Sequence, residues 1–421
     1  MSPASAFDAA SSDLLARELA DRGCEALLVV AGSARDPDIA PFVGPVHLGR
    51  AFLILPRPDR PGRGSTAVPA LGYLTAMERG EASRTGLKLL APADLEVERL
   101  SRELAEPGAF WGAVLAKGLE IAGVPPGRLA LAGHPGAGLA VAFSRRLEAT
   151  GRPAVDGHEV VRLLRKRKGP ADLEDLRRAA ARTVAAFRRL AELLAASAPS
   201  PSANLILAGE PLTVGRLRRE VFGTLSAHGL ELPEAAILAP AEEGAMPHSI
   251  GTDERVLRAG ESLVADIFPR SRLFADCTRT FCVGEPPEAL ARAHGAVLRA
   301  LRKARRGARP GARGWSLQEA TCALLGELGY ETPISHPGTE RGYVHNLGHG
   351  VGYELHEYPS FRKEAGAEGA LAAGDVITLE PGLYSVEERY GVRLEDLVVL
   401  GEDGIVEDLT PLPYGLDPQS W

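Results

Sequence analysis

The chain has 421 residues, 45% hydrophobic and 24% charged, with a formal net charge of −7. That balance fits a globular protein of roughly two or three domains. The absence of a long basic run argues against nucleic acid as the main partner, and no run of about 18 apolar residues is available to span a membrane.

The opening MSPASAFDAASSDLLAREL carries neither a basic nor an apolar signal region, so a cytoplasmic location is the expectation. Residues 12–23 read as a helix, with Ser12 as cap and Leu14, Leu15 and Leu19 at helical spacing. EALLVVAG follows as a buried strand, and HLGRAFLIL and GRLALAG read as further strands. LEVERLSREL and WGAVLAKGLEIAG carry helical patterns among them. Strands alternating with helices predict an α/β layer. GHPGAG, from Gly133 to Gly138, lacks the Lys and Ser/Thr of a phosphate loop and reads as a turn. The basic run Arg162 to Lys168 has no interleaved aromatics and reads as a solvated linker. After it, Leu173, Leu176, Ala180, Val184, Phe187, Leu190 and Leu194 form one apolar helical stripe. The domains are therefore expected to be 1–162, an α/β domain, and 163–421.

The second domain is expected to mix helices with strands that carry buried acids. Period-2 alternation in FADCTRTFCV puts Phe274, Asp276, Thr278 and Thr280 on one face. In GVRLEDLVVL, Arg393 and Glu395 share a face, and the strand DVITLEPG ends at Glu380 before Pro381 and Gly382. A carboxylate in such apolar sequence is costly to desolvate unless it is paired or metal-bound. If Asp266, Asp276, Glu380 and Glu395 converge, mutual repulsion would leave most of them protonated, and two divalent cations would remove that conflict. With the imidazole of His349, the oxygen-rich set suits manganese, favoured here, or cobalt, iron or zinc. Cys24, Cys277, Cys282 and Cys322 match no redox or zinc spacing and are expected to be reduced and buried.

Asp266, then DCTRT, GHGVGYELHE, LEPGLY and GVRLED, in this order over residues 248–398, resemble the pita-bread metallopeptidases. That family includes aminopeptidase P, prolidase and methionine aminopeptidase, and the long first domain is similar to the first two. The resemblance implies an α+β fold: a C-terminal pita-bread catalytic domain after the α/β domain. It implies hydrolysis of the Xaa-Pro bond at the N-terminus of small peptides, with Xaa-Pro dipeptidase activity as the alternative, and a homodimer. It also implies roles. Asp266 would chelate one metal and His349 the other, Asp276 and Glu395 would bridge them, and Glu380 would be both ligand and proton acceptor. His356, His248 and His345 would bind substrate, and Arg393 would brace the cluster or bind a substrate carboxylate.

This sequence departs from the family pattern in three places. Asp266 and Asp276 lie ten residues apart, one fewer than usual. Phe268 stands where a small residue is usual, and Tyr353 where an aliphatic one is. The last two bear on substrate range. A metal-free hydrolase of guanidino compounds or a binding protein on the same fold typically lacks some of the five ligands, whereas all five are present here.

Overall fold

The computed structural model describes residues 9–58, 68–366, 369–404 and 406–421. Contacts divide the chain into two compact units, Met1–Gly169 and Pro170–Trp421. The division falls seven residues after the boundary expected at 162/163. The reason is a helix, His158–Lys166, whose Val160, Val161 and Leu164 are buried in the core of the first unit. The basic run is therefore not a solvated linker: it belongs largely to this helix, and Arg165 is buried against Asp38 at 3.0 Å while Lys168 is buried just beyond it.

In the first unit, β1 (Cys24–Ala31), β2 (Ala51–Pro56), β3 (Ala70–Tyr73), β4 (Lys88–Leu90), β5 (Arg128–Ala132) and β6 (Ala154–Asp156) form one sheet in the order β4-β3-β2-β1-β5-β6. β1 runs antiparallel to β2 and parallel to β5, and β5 runs parallel to β6. The helices are α1 (Ala9–Asp21), α2 (Ala40–Val43), α3 (Arg79–Ser83), α4 (Val97–Glu103), α5 (Pro107–Ile121), α6 (Ala137–Glu148) and α7 (His158–Lys166). Alternation splits β1 between two cores. Leu27 and Val29 pack in one with Leu15, Leu19 and Val160. Ala26, Leu28 and Val30 pack in the other with Trp111, Leu115 and Phe143. Covered on both faces, β1 is apolar from Ala26 to Ala31, and each large side chain so buried contributes about 1.5–3 kcal/mol.

The second unit opens with α8 (Pro170–Ala195). Of the expected stripe, Leu176, Ala180, Val184, Phe187, Leu190 and Leu194 are buried, and Leu173 at the first turn is half-buried. β7 (Ala198–Pro199), β8 (Leu205–Leu207) and β9 (Glu210–Pro211) make a small antiparallel sheet. α9 (Val214–Ala227) starts at Thr213, whose hydroxyl accepts from the Arg216 amide at 3.2 Å. Then come β10 (Ile237–Pro240), α10 (Ala241–Gly244), β11 (Leu263–Ile267) and β12 (Cys277–Phe281), with the three strands forming a sheet. α11 (Glu288–Gly307) and α12 (Gly314–Glu327) bury Val297, Leu301 and Leu325 in a core shared with Val392 and Leu394.

The last stretch is one long hairpin broken twice. β13 (Val376–Leu379) pairs with β16 (Asp396–Leu400), and β14 (Gly382–Ser385) pairs with β15 (Tyr390–Arg393). β17 (Val406–Asp408) extends the first pair. The expected single strand GVRLEDLVVL is interrupted at Leu394–Glu395, opposite an interruption at Glu380–Pro381. Pro381 cannot donate to a ladder, which explains the break on its side. All four cysteines are buried and unbonded. Among the described residues no helix is long and apolar enough to cross a membrane.

Candidate metal centre

The two breaks in the long hairpin matter because each exposes one acid to the same space. Glu380 and Glu395 leave the ladder together, while the flanking pairs Leu379↔Asp396 and Gly382↔Arg393 hold them in register. From the other sheet, Asp266 near the end of β11 pairs with Thr278 of β12. Asp276, two residues before Thr278, falls on the same face as its partner. The shortened connection therefore still delivers both aspartates to one side. The Phe268–Asp276 turn takes up the change with an Arg270↔Phe274 bridge and an Ala275 amide donating to the Pro269 carbonyl at 2.9 Å.

The two sheets are tied at this point. The Glu395 amide donates to the Thr278 carbonyl at 3.0 Å, and the Thr278 hydroxyl donates to Oε2 of Glu395 at 2.7 Å. Arg393 and Thr280 exchange bonds of 3.0 and 2.9 Å through the threonine hydroxyl. Asp276, His349 and Glu395 each bring one ligand atom within 4.8 Å of the others. Nε2 of His349 lies 3.3 Å from Oε1 of Glu380 and 3.7 Å from Oδ2 of Asp276. Its Nδ1 lies 3.1 Å from the Gly350 carbonyl, which holds the proton on Nδ1 and turns the Nε2 lone pair to the acids.

His349 is seated by its glycines. A Cβ at Gly348 would fall 2.1 Å from the Thr378 carbonyl oxygen, and one at Gly350 2.0 Å from that of Tyr358. Only glycine permits so close a backbone approach. The Thr378 hydroxyl accepts from the His349 amide at 3.0 Å, and the Thr378 amide donates to the His349 carbonyl at 2.9 Å.

Electrostatics follow from burial. Burial holds the Asp276 carboxyl well above its usual range, with the like charges of Glu395, Asp266 and Glu380 adding to it. Glu395 is raised in the same way by burial, then by Glu380 and Asp266. Glu380 is pushed up to about 8 by burial, against the opposing pull of Arg393. His349 is pushed down to about 3 by burial and by His356, so its imidazole is neutral. Oδ1 of Asp266 is buried without a hydrogen-bond partner. Crowded acids, a neutral imidazole with its lone pair directed inward, and an orphaned carboxylate oxygen are what a cation site presents. The residues present fit divalent metal.

Asp266 stands slightly apart from the others. Its Oδ2 accepts from Nη2 of Arg393 at 2.5 Å. The same guanidinium donates to Tyr384 Oη at 3.1 Å, Thr278 Oγ1 at 3.2 Å and the Pro247 carbonyl at 3.3 Å. Tyr384 in turn donates to Nε2 of His345 at 2.8 Å, because Nδ1 of His345 faces the Asn346 carbonyl at 2.8 Å. Burial and Arg393 push His345 down to about 4. His356 is close by, its ring centroid 4.3 Å from that of His349, and its pKa is lowered by burial. His248 is exposed beside His345 and His356. All nine expected residues thus lie around one centre.

Sequence reading missed three residues that hold these in place. Tyr384 links Arg393 to His345, and a Cβ at Gly382 would meet its hydroxyl at 2.4 Å, so the PGLY stretch was the available signal. Thr378 is described above. Gln318 of α12 is buried. It accepts from Tyr343 Oη at 3.0 Å and the Leu347 amide at 2.6 Å, and donates to the His345 carbonyl at 3.2 Å. Phe268 packs with Ile237, Ala239 and Val264. Tyr353 is buried, and its hydroxyl donates to Asp172 at 2.8 Å.

Residues 174–402 match metallopeptidase family M24. The Xaa-Pro dipeptidase of Pyrococcus furiosus is 34% identical over 201 residues, 46% of this chain and 54% of that protein. The probable dipeptidase PepE of Mycobacterium tuberculosis H37Rv is 30% identical over 261 residues, 62% of each. The matches span about half to three-fifths of the length of these relatives. The prolidase structure from Pyrococcus horikoshii superposes with a TM-score of 0.72 at 21% identity, over 97% of this chain and 99% of that one. The α+β pita-bread fold expected from sequence is the fold shared with it.

Proposed function

This chain belongs to metallopeptidase family M24, and from that premise we propose that it hydrolyses the Xaa-Pro bond of small peptides. The single observation that carries the proposal is the convergence of Asp276, Glu380 and Glu395, their charge suppressed by burial, on the lone pair of a neutral His349. Asp266, Asp276, His349, Glu380 and Glu395 would hold two divalent cations, with manganese as the native metal. Those cations would lower the pKa of a water toward neutrality and polarise a peptide carbonyl.

The protein's own groups do the rest. Glu380 would accept the proton of the attacking water and return it to the leaving nitrogen. His356 donates to the oxyanion that develops on the substrate carbonyl, a contact worth on the order of 3 kcal/mol. His248 and His345 line the substrate side. Arg393 positions Asp266 by holding one of its oxygens, which leaves Oδ1 for a ligand. The leaving nitrogen of proline is a tertiary amide without N–H, so recognition must come from ring shape rather than from an amide bond.

Of the two forms expected from sequence, the dipeptide form is favoured over trimming of longer peptides, because both relatives named above are called dipeptidases. A homodimer and a cytoplasmic location complete the reading. Hydrolysis of Xaa-Pro, Xaa-Pro-Xaa and Xaa-Ala substrates by manganese-loaded protein tests it. Xaa-Pro should be turned over fastest. Equal rates on Xaa-Ala would remove the proline specificity, and full activity after metal stripping in excess chelator would remove the metallopeptidase reading.

A further inference from the structure

The turn GHPGAG carries His134, and the fold gives that histidine neighbours. Asp36 and Asp38 follow β1, His134 follows β5, and His158 follows β6 at the start of α7. These three strands are parallel neighbours, so the four side chains meet at the carboxyl ends of the strands. The parallel part of an α/β sheet carries ligands outside the carboxyl ends of its strands, where the loops after β1, β5 and β6 meet.

The contacts are those of ligands already oriented. Nδ1 of His158 lies 2.9 Å from Oδ2 of Asp38, whose side chain is 1% exposed. That carboxylate is fixed by the Gly133 amide at 2.9 Å and by Arg165 at 3.0 Å. Nδ1 of His134 lies 3.0 Å from Oδ1 of Asp36, and the His134 amide donates to Oδ2 at 2.8 Å. Asp36 behind Nδ1 of His134 keeps the proton there and leaves the lone pair on Nε2, the usual support of a metal-binding histidine, whereas His158 faces Asp38 through Nδ1, so an ion shared by those two takes the place of the proton between them. The two rings meet edge-on with centroids 5.3 Å apart.

One ligand atom each from Asp38, His134 and His158 falls within 4.8 Å of the others. Around a tetrahedral zinc such atoms lie about 3.3 Å apart, so side-chain shifts of about an ångström close the set. Both histidines are partly exposed, with side chains at 53% and 43%, so an ion can enter and keep an open position. The charges agree. Asp36, Asp38 and Asp156, which accepts from the His158 amide at 2.9 Å, bring three negative charges, and Arg165 brings one positive. With both imidazoles neutral, the surplus of two matches a divalent cation.

We propose that the first unit carries its own metal site, in which Asp38, His134 and His158 hold one zinc-class divalent cation. Two imidazoles and one carboxylate suit zinc or cobalt(II) and disfavour magnesium and calcium, which take oxygen donors. The site uses no residue of the centre in the second unit.

The test is metal stoichiometry of the full chain. Chelator-stripped protein is titrated with zinc, and separately with cobalt(II) read by its visible spectrum. Wild type should bind one equivalent more than the double variant His134→Ala/His158→Ala, with Xaa-Pro hydrolysis unchanged in that variant. Asp36→Asn keeps the three ligands and should weaken the extra equivalent by about 10–100-fold. Should the double variant fail to fold, Asp276→Ala/His349→Ala decides from the other side, because it disables the other centre and should still bind one zinc through the first unit. Equal stoichiometry in wild type and the first-unit variant, or no zinc retained when the other centre is disabled, overturns the proposal. Protection of this corner by inorganic phosphate instead of zinc would overturn it too.

Discussion

Arg393 and Asp266 share one short bond, 2.5 Å from Nη2 to Oδ2, and the second oxygen of Asp266 is left buried without a partner. The guanidinium fixes the carboxylate and at the same time decides which oxygen is free. Lysine has one nitrogen and cannot reach Asp266, Tyr384, Thr278 and the Pro247 carbonyl together. Arg393→Lys is therefore expected to weaken metal binding by roughly 10–100-fold, the effect of losing an outer-sphere partner. A metal titration of the stripped variant checks it, and wild-type affinity would contradict the positioning role.

Glu380→Gln keeps shape and removes the proposed proton acceptor. The variant should fold with a metal-free Tm at or above wild type, because a neutral amide avoids the buried charge, and lose at least about 10²-fold in kcat, the lower range for a general base. A kcat within tenfold of wild type would reassign the proton to another group.

The pH dependence of the metal-free protein has a definite sign. Glu380 titrates at about 8 when folded, from an ordinary value of 4.5, and burial raises Asp276 and Glu395 as well. In that window the folded state binds more protons than the unfolded one. Stability tied to these acids is full below the unfolded value and falls as pH rises through the folded one. Thermal unfolding in chelator should show Tm decreasing between about pH 6.5 and pH 8, above the range in which the depressed His345, His349 and His356 pull the other way, and saturating manganese should flatten the slope. A Tm that climbs over this range would contradict the burial argument.

Tyr384→Phe removes the hydroxyl that joins Arg393 to His345. Leaving buried donors and acceptors unmatched costs about 1–3 kcal/mol, so the variant should unfold at lower denaturant. If His345 lines the substrate side as proposed, KM for Xaa-Pro should rise more than kcat falls. Steady-state kinetics that show only a kcat loss would place Tyr384 in the chemistry instead.

Gly348→Ala forces a Cβ to 2.1 Å from the Thr378 carbonyl. The backbone cannot yield there without moving His349, so metal affinity and Tm should both fall, Tm by several degrees for a cost of about 1–3 kcal/mol. Unchanged metal stoichiometry and Tm would mean the loop has more room than its packing allows.

Much of this centre could be read in the sequence because strand parity is local. Asp276, Thr278 and Thr280 were placed on one face by alternation alone, and Thr278 and Thr280 indeed meet Glu395 and Arg393. The paired breaks at Glu380 and Glu395 could not be read, because a β interruption depends on the partner strand as much as on its own residues. Pro381 marked one side, but nothing in VRLED marked the other. The unit boundary was displaced because the basic residues 162–168 hide an apolar face, Val160, Val161 and Leu164, that only helical phasing reveals. Tyr384 and Gln318 were missed because their partners are distant in sequence and neutral, so no charge conflict pointed to them.

Gln318 deserves a last consequence. One buried amide on an outer helix grips the main chain on both sides of Asn346, so His345 and the start of the His349 loop hang from a common peg. A designer who hopes to widen the pocket by shifting His345 alone would drag the His349 loop with it. On the proposed roles of His345 and His349, substrate range and cation grip would be geared together through α12, and altering one without the other would require cutting that peg first.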